Sequence, residues 1–141
     1  MTIEVLFSIC NLLALAGWAL LIFVPKWKGT TVIARSGLVP LLLATVYLVL
    51  IVVHFGRTEG GFGSLSEVAK LFRNENLLLA GWVHYLAFDL FIGGWESADA
   101  EKHGVPHLAV VPCLVLTFLF GPVGLLCYFA VRTAVTKKLF N

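Results

Sequence analysis

The stretch that decides the fold is Leu77-Leu78-Leu79-Ala80-Gly81-Trp82-Val83-His84-Tyr85-Leu86-Ala87-Phe88-Asp89-Leu90-Phe91-Ile92-Gly93-Gly94-Trp95. It carries a single formal charge, Asp89, and is long enough to cross ~30 Å of hydrocarbon at 1.5 Å per residue. Three other runs have the same character. One extends from about Val5 to Val24 and stops at Pro25-Lys26-Trp27-Lys28; a second from about Val32 to Val53, with Arg35 near its start and His54 at its end; the last from about His107 to Val131, interrupted by Pro112 and Gly121-Pro122. The expected fold is all-α: a single domain over 1–141 with four transmembrane helices, at 5–24, 32–53, 77–95 and 107–131.

Composition agrees. The chain has 141 residues, 60% of them hydrophobic and 13% charged, with a mean hydropathy of +0.95. Soluble domains carry about a quarter charged residues, so lipid is the expected solvent. A net charge of +2 gives no basis for nucleic acid as a partner. Cys10, Cys113 and Cys127 lie in apolar runs without paired spacing and read as packing residues, neither a disulfide framework nor a metal site.

The longest connection, Arg57 to Asn76, begins with Gly60, Gly61 and Gly63. Ser64 or Ser66 then offers a cap for a short amphipathic helix containing Glu67, Val68, Lys70, Leu71 and Phe72, expected to lie in the headgroup region between spans two and three. The N-terminus has neither the basic start of a secretory signal nor the Arg- and Ser-rich character of a transit peptide, so direct insertion into a bacterial inner membrane is expected. Four crossings place both termini on one side, with Arg57, Lys70, Arg73, Arg132, Lys137 and Lys138; Lys26, Lys28, Arg35 and Lys102 face the other. That balance favours cytoplasmic termini.

The halves of the chain also resemble each other. Asn11-Leu12-Leu13-Ala14-Leu15-Ala16-Gly17-Trp18 matches Asn76-Leu77-Leu78-Leu79-Ala80-Gly81-Trp82, and Val39-Pro40 with Thr45 matches Val111-Pro112 with Thr117. This is the pattern of a duplicated helical hairpin. His84, Tyr85 and Asp89 have only Leu20, Leu21 and Pro25 opposite them, so the scaffold does not need their polar groups.

An Asp near mid-span costs about 2.5–3.5 kcal/mol and should face a cavity or a partner. Two readings stand: a buried ion pair with Arg35, or a proton-donating carboxyl in apolar surroundings. His84 and Asp89 lie ~140° apart around the helix and ~7.5 Å apart along it, so they flank an elongated ligand or meet different neighbours. Trp82, Tyr85, Asp89 and Gly93 share one stripe; His84, Phe88 and Trp95 share another. Trp82, Phe88, Gly93, Trp95 and Arg35 complete the candidate ligand contacts. Haem ligation by a His54–His84 pair is disfavoured by their mismatched depths; a single membrane His can ligate a chlorophyll magnesium, but a hydrogen-bonded packing His is the favoured reading, and no cofactor is required.

The run Trp82 to Gly93 resembles the signature of the abscisic-acid-deficient-four-like family, membrane proteins linked to neoxanthin synthesis in plants. Pro112-Cys113-Leu114-Val115-Leu116-Thr117 and Gly121-Pro122-Val123-Gly124-Leu125-Leu126 are similar to that family's fourth-span pattern; Gly93-Gly94-Trp95 stands where many relatives have Gly-Arg-Trp. The resemblance implies a four-helix protein that binds or acts on a carotenoid or other isoprenoid. The plant reaction opens an epoxide and forms an allene without net oxidation, which calls for an acid and a base. Carried over, Asp89 is the candidate acid, His84 the candidate base and Tyr85 the orienting group of a carotenoid isomerase. The alternative is a non-catalytic pigment-binding or structural subunit of a larger membrane complex, a photosynthetic one among the candidates; the partners considered are such a complex or further copies of the chain in a homo-oligomer.

Overall fold

The computed structural model describes residues 1–139. Helix α1 (Ile3–Phe23) starts where the Thr2 hydroxyl accepts the Val5 N–H and ends ahead of Pro25. A single turn, α2 (Lys28–Thr30), continues through a π-helical turn (Thr31–Arg35) and a left-handed Gly37 into α3 (Leu38–His54). The second span is thus bent at Ser36-Gly37 where one straight helix was expected. The expected amphipathic helix is α4 (Leu65–Leu71), capped by Ser64 and carrying a Lys70–Glu67 ion pair at 2.7 Å.

Helix α5 (Glu75–Lys102) is the hub, touching α1, the π-helical turn, α3, α6 and α7. Asn74 caps it by accepting the Asn76 and Leu77 N–H groups. It runs about two turns beyond the expected end at Trp95. The added residues include Glu96, Ser97 and Ala100, all buried, because protein and not lipid covers that end.

The fourth span is where expectation fails. The chain forms two short helices, α6 (His107–Phe120) and α7 (Pro122–Thr136), broken at Gly121 with φ 40° and ψ −93°. Each is roughly 21 Å long, too short for ~30 Å of hydrocarbon. In one straight helix Cys113 and Cys127 would stand roughly 21 Å apart; here their Sγ atoms are 3.3 Å apart. Gly124, lacking a side chain, lies directly on Thr117. The last apolar run is therefore a hairpin that enters the bundle and returns to the same end. Three helical stretches, Ile3–Phe23, Lys28–His54 and Glu75–Lys102, are long and apolar enough to cross a membrane, not four.

The hairpin also moves the C-terminus. The proximal end of the bundle holds Ile3, His54 and Glu75; the distal end holds Pro25, Lys102 and His107. His107 Nε2 donates to Ile22 O at 2.8 Å where the hairpin enters, and Arg132 bonds Asp99 and His103 where it leaves. Among the described residues the chain thus starts at the proximal end and finishes at the distal one, and the expectation of both termini on one side is left without support. The threonines matched between the two halves of the sequence behave differently. Thr45 bonds its own helix at Leu41 O, whereas Thr117 reaches α5.

Candidate functional site

Residues spaced at 85, 89, 96 and 99 fall on one stripe of a 3.6-residue helix, and on α5 that stripe meets the hairpin. The Tyr85 hydroxyl donates to Phe118 O at 2.5 Å, at the hairpin tip. One turn on, the Asp89 carboxylate lies against Gly121: a Cβ added there would be 2.8 Å from Asp89 Oδ1. Asp89 Oδ2 is buried without a hydrogen-bond partner. A carboxylate beside the start of α7 also faces the positive end of that helix.

Two turns farther along, Glu96 is wholly buried. The Thr117 hydroxyl lies 2.9 and 3.0 Å from its two oxygens. At the distal end, Asp99 accepts from Tyr128 at 2.5 Å and pairs with Arg132 Nε at 2.8 Å. An arginine can only donate, so the contact of Arg132 Nη2 with His103 Nε2 at 3.0 Å makes that nitrogen the acceptor. The imidazole proton is then on Nδ1, donated to Asp99 O at 2.9 Å. A chain of polar groups thus follows the seam between α5 and the hairpin from the distal surface to mid-bundle.

The hairpin stops at mid-bundle, and the proximal half of the same side is left as a groove of about 660 Å³. Phe7 of α1, Phe72 after α4, and Leu78, Trp82 and Tyr85 of α5 line it, with Glu4 and Glu75 at its mouth. Such a volume suits a small-molecule site of apolar walls with few polar groups. Trp82 is fixed there by donating to Asn11 Oδ1 at 2.9 Å and by packing on Tyr85, ring centroids 5.4 Å apart. Tyr85 belongs to both features: its ring lines the groove and its hydroxyl holds the hairpin tip.

The other expected site residues are dispersed. His84 lies on the exposed side of α5, its ring against Phe88 at 4.8 Å and Tyr47 at 5.5 Å, and it does not approach Asp89. Arg35 does not pair with Asp89 either. Its guanidinium donates to Ser97 Oγ at 2.9 and 3.1 Å and pairs with Glu101, fastening the π-helical turn to the distal end of α5. Phe88 lines a separate slot of about 260 Å³ with Gly37, Pro40 and Phe91. Gly93 seats the Trp18 ring, which a Cβ would meet at 2.5 Å. Trp95 packs edge-on against Tyr128 at 5.6 Å.

Sequence reading missed Glu96, Asp99, Tyr128, Arg132 and the role of Thr117. The signal was present: Glu96 and Asp99 sit seven and ten residues after Asp89, on its stripe, but beyond the point where hydropathy ends the span. Among the described residues, no three His, Cys, Asp or Glu side chains converge as a metal ion would need.

No solved structure matches the chain. It is 26% identical over 149 aligned positions to the protein named ABA DEFICIENT 4, chloroplastic, of Arabidopsis thaliana, an alignment covering 96% of this chain and 61% of that relative. The ABA DEFICIENT 4-like family matches residues 5–128, from the start of α1 to Tyr128 in the hairpin's second leg. The match takes in the groove from Phe7 onward, the Asp89 turn and the hairpin tip together, and the chain belongs to the ABA DEFICIENT 4-like family.

Proposed function

We propose that the protein binds a carotenoid-class isoprenoid along the α1–α5 groove and isomerises its oxygenated end, with Asp89 as proton donor and Tyr85 as the orienting phenol. The observation that carries this reading is the junction at Tyr85: an apolar, aromatic-lined groove ends one helical turn from a buried carboxylate oxygen that has no partner. A buried carboxylate oxygen left without a partner is costly to keep, and sites that move protons tolerate that cost. The relative's printed name concerns abscisic-acid deficiency, and the family resemblance adds neoxanthin synthesis, an epoxide-to-allene isomerisation. The groove's aromatic walls suit a polyene, and Asp89 suits protonation of an epoxide oxygen. On this reading His84 is not the base, since one substrate would have to pass around α5 to meet both groups; it serves as a lipid-side contact with Phe88. The host membrane is a carotenoid-bearing bilayer, a bacterial inner membrane or a plastid one.

A second reading is a pigment-binding subunit without turnover, favoured by the exposed aromatic faces of Trp82, Phe88, Phe91 and Trp95. One experiment separates the two. Cells making an epoxy-carotenoid are given the wild type, Asp89→Asn or His84→Ala, and both extracted and protein-bound pigments are resolved. The isomerase reading expects a product of unchanged mass with the wild type and His84→Ala, and its loss with Asp89→Asn while pigment stays bound. Bound pigment with identical composition in all three strains would establish the subunit reading instead.

A further inference from the structure

Glu96 is the most deeply buried acid of the molecule, and the isomerisation at Asp89 does not use it directly. It has no exposure to solvent, and among the described residues no basic side chain lies within ion-pair distance. Its one polar contact is the Thr117 hydroxyl, near both oxygens at 2.9 and 3.0 Å. One hydroxyl has a single hydrogen to give. Shared between the two oxygens of an ionised carboxylate, that hydrogen would leave a buried charge under-bonded and without a cation; with the carboxyl protonated, Glu96 O–H donates to Thr117 while Thr117 donates to the other oxygen, and both are satisfied.

We propose that Glu96 is the proton reserve of the seam, resupplying Asp89 after each turnover; this rests on the function proposed for Asp89. In that reaction the epoxide C–O bond breaks as its oxygen takes the proton of Asp89. A neighbouring C–H bond breaks, its electron pair becomes the new C=C bond of the allene, and water admitted along the open side of the groove beside Tyr85 takes that proton. The isomer keeps its composition, so Asp89 needs one proton back. Glu96 stands two turns away, ~10 Å along the axis. Between them lies the Gly121 break, whose freed backbone groups can hold bridging water.

Glu96 regains its proton from the distal surface. Thr117 and Cys113 on α6 and Tyr128 on α7 are its neighbours on that side; Cys127, Asp99, Arg132 and His103 lie beyond them along the seam. Tyr128, Asp99 and His103 are already in contact in sequence, at 2.5 Å and 3.3 Å. Arg132 is engaged with Asp99, which leaves the Glu96 carboxyl free of a fixed counter-ion.

A purely structural Glu96 would only pin α6 to α5, and Glu96→Gln preserves that, since an amide also both donates and accepts. The test has two arms. In ligand-free protein, infrared spectra in water and heavy water should show a protonated-carboxyl C=O band that shifts on deuteration. The band should be absent from Glu96→Gln and displaced in Thr117→Val. In pigment turnover, Glu96→Gln should bind pigment as the wild type does and isomerise it about tenfold or more slowly. A spectrum unchanged by Glu96→Gln, or full-rate turnover by that variant, overturns the proposal. A wild type that isomerises no pigment overturns the function of Asp89 instead, and the infrared arm, needing no ligand, still tells whether Glu96 holds a proton.

Discussion

At the scale of single residues, the account turns on contacts that leave no room. Gly121 has a positive φ and lies against the Asp89 carboxylate. Gly121→Ala therefore meets backbone strain and a steric clash together, and should destabilise the fold by about 1–3 kcal/mol, read as a lower Tm of the purified protein. Its effect on Asp89 should appear as lost turnover even at temperatures where it stays folded. At Trp82 the expected change is different. Trp82→Phe removes the hydrogen bond to Asn11 but keeps an aromatic wall, so pigment binding should weaken modestly, by about tenfold at most, with the fold intact. These residues also show how much of the site could be read beforehand. Asp89 and Tyr85 stood out because a polar group in an apolar run is conspicuous. Glu96 did not, because at Trp95-Glu96 the composition turns polar, and a hydropathy reading cannot distinguish a helix leaving lipid from one entering a protein seam.

At the scale of elements, the docking of α7 on α5 depends on the Asp99–Arg132 pair, with both side chains nearly buried at 9% and 5% exposure. Removing one partner of a buried pair leaves the other uncompensated, a loss of about 3–5 kcal/mol. Arg132→Met should therefore detach or destabilise the hairpin, and Asp99→Asn combined with Arg132→Met should recover part of the loss. A double-mutant cycle on thermal stability measures both. The elements themselves were unevenly legible. The spans α1 and α5 and the amphipathic α4 follow from apolar length and from Ser64 and Asn74 caps. The direction of the last run does not. Gly121-Pro122 is visible as an interruption, but Pro at the first turn of a helix is equally at home in a kink and in a fresh start. What decides is the packing of Gly124 on Thr117 and of the seam residues on α5, contacts between positions that periodicity within one segment cannot relate.

At the scale of the whole molecule, folding back the fourth run has two consequences. It leaves the groove open along half of α5, and it carries Arg132, Lys137 and Lys138 to the distal end with Lys26, Lys28, Arg35 and Lys102. Only Arg57, Lys70 and Arg73 remain proximal. The bias of positive charge now favours the distal end and the C-terminus in the cytoplasm, with the N-terminus outside. In a bacterial host, a reporter fused after residue 141 should be active only as a cytoplasmic fusion, and one fused ahead of Met1 only as a periplasmic one. Reporters on the same side would mean four full crossings, and then neither the groove nor the seam could exist in this form.

The most direct test of the hairpin uses its own cysteines. In a Cys10→Ser background, a short membrane-permeant bifunctional thiol reagent should bridge Cys113 to Cys127 within one chain, found by mass spectrometry as a single linked peptide pair. If the two thiols are modified separately with no bridge, and spin labels at the same positions report roughly 20 Å between them, the last run is a straight helix and the account fails.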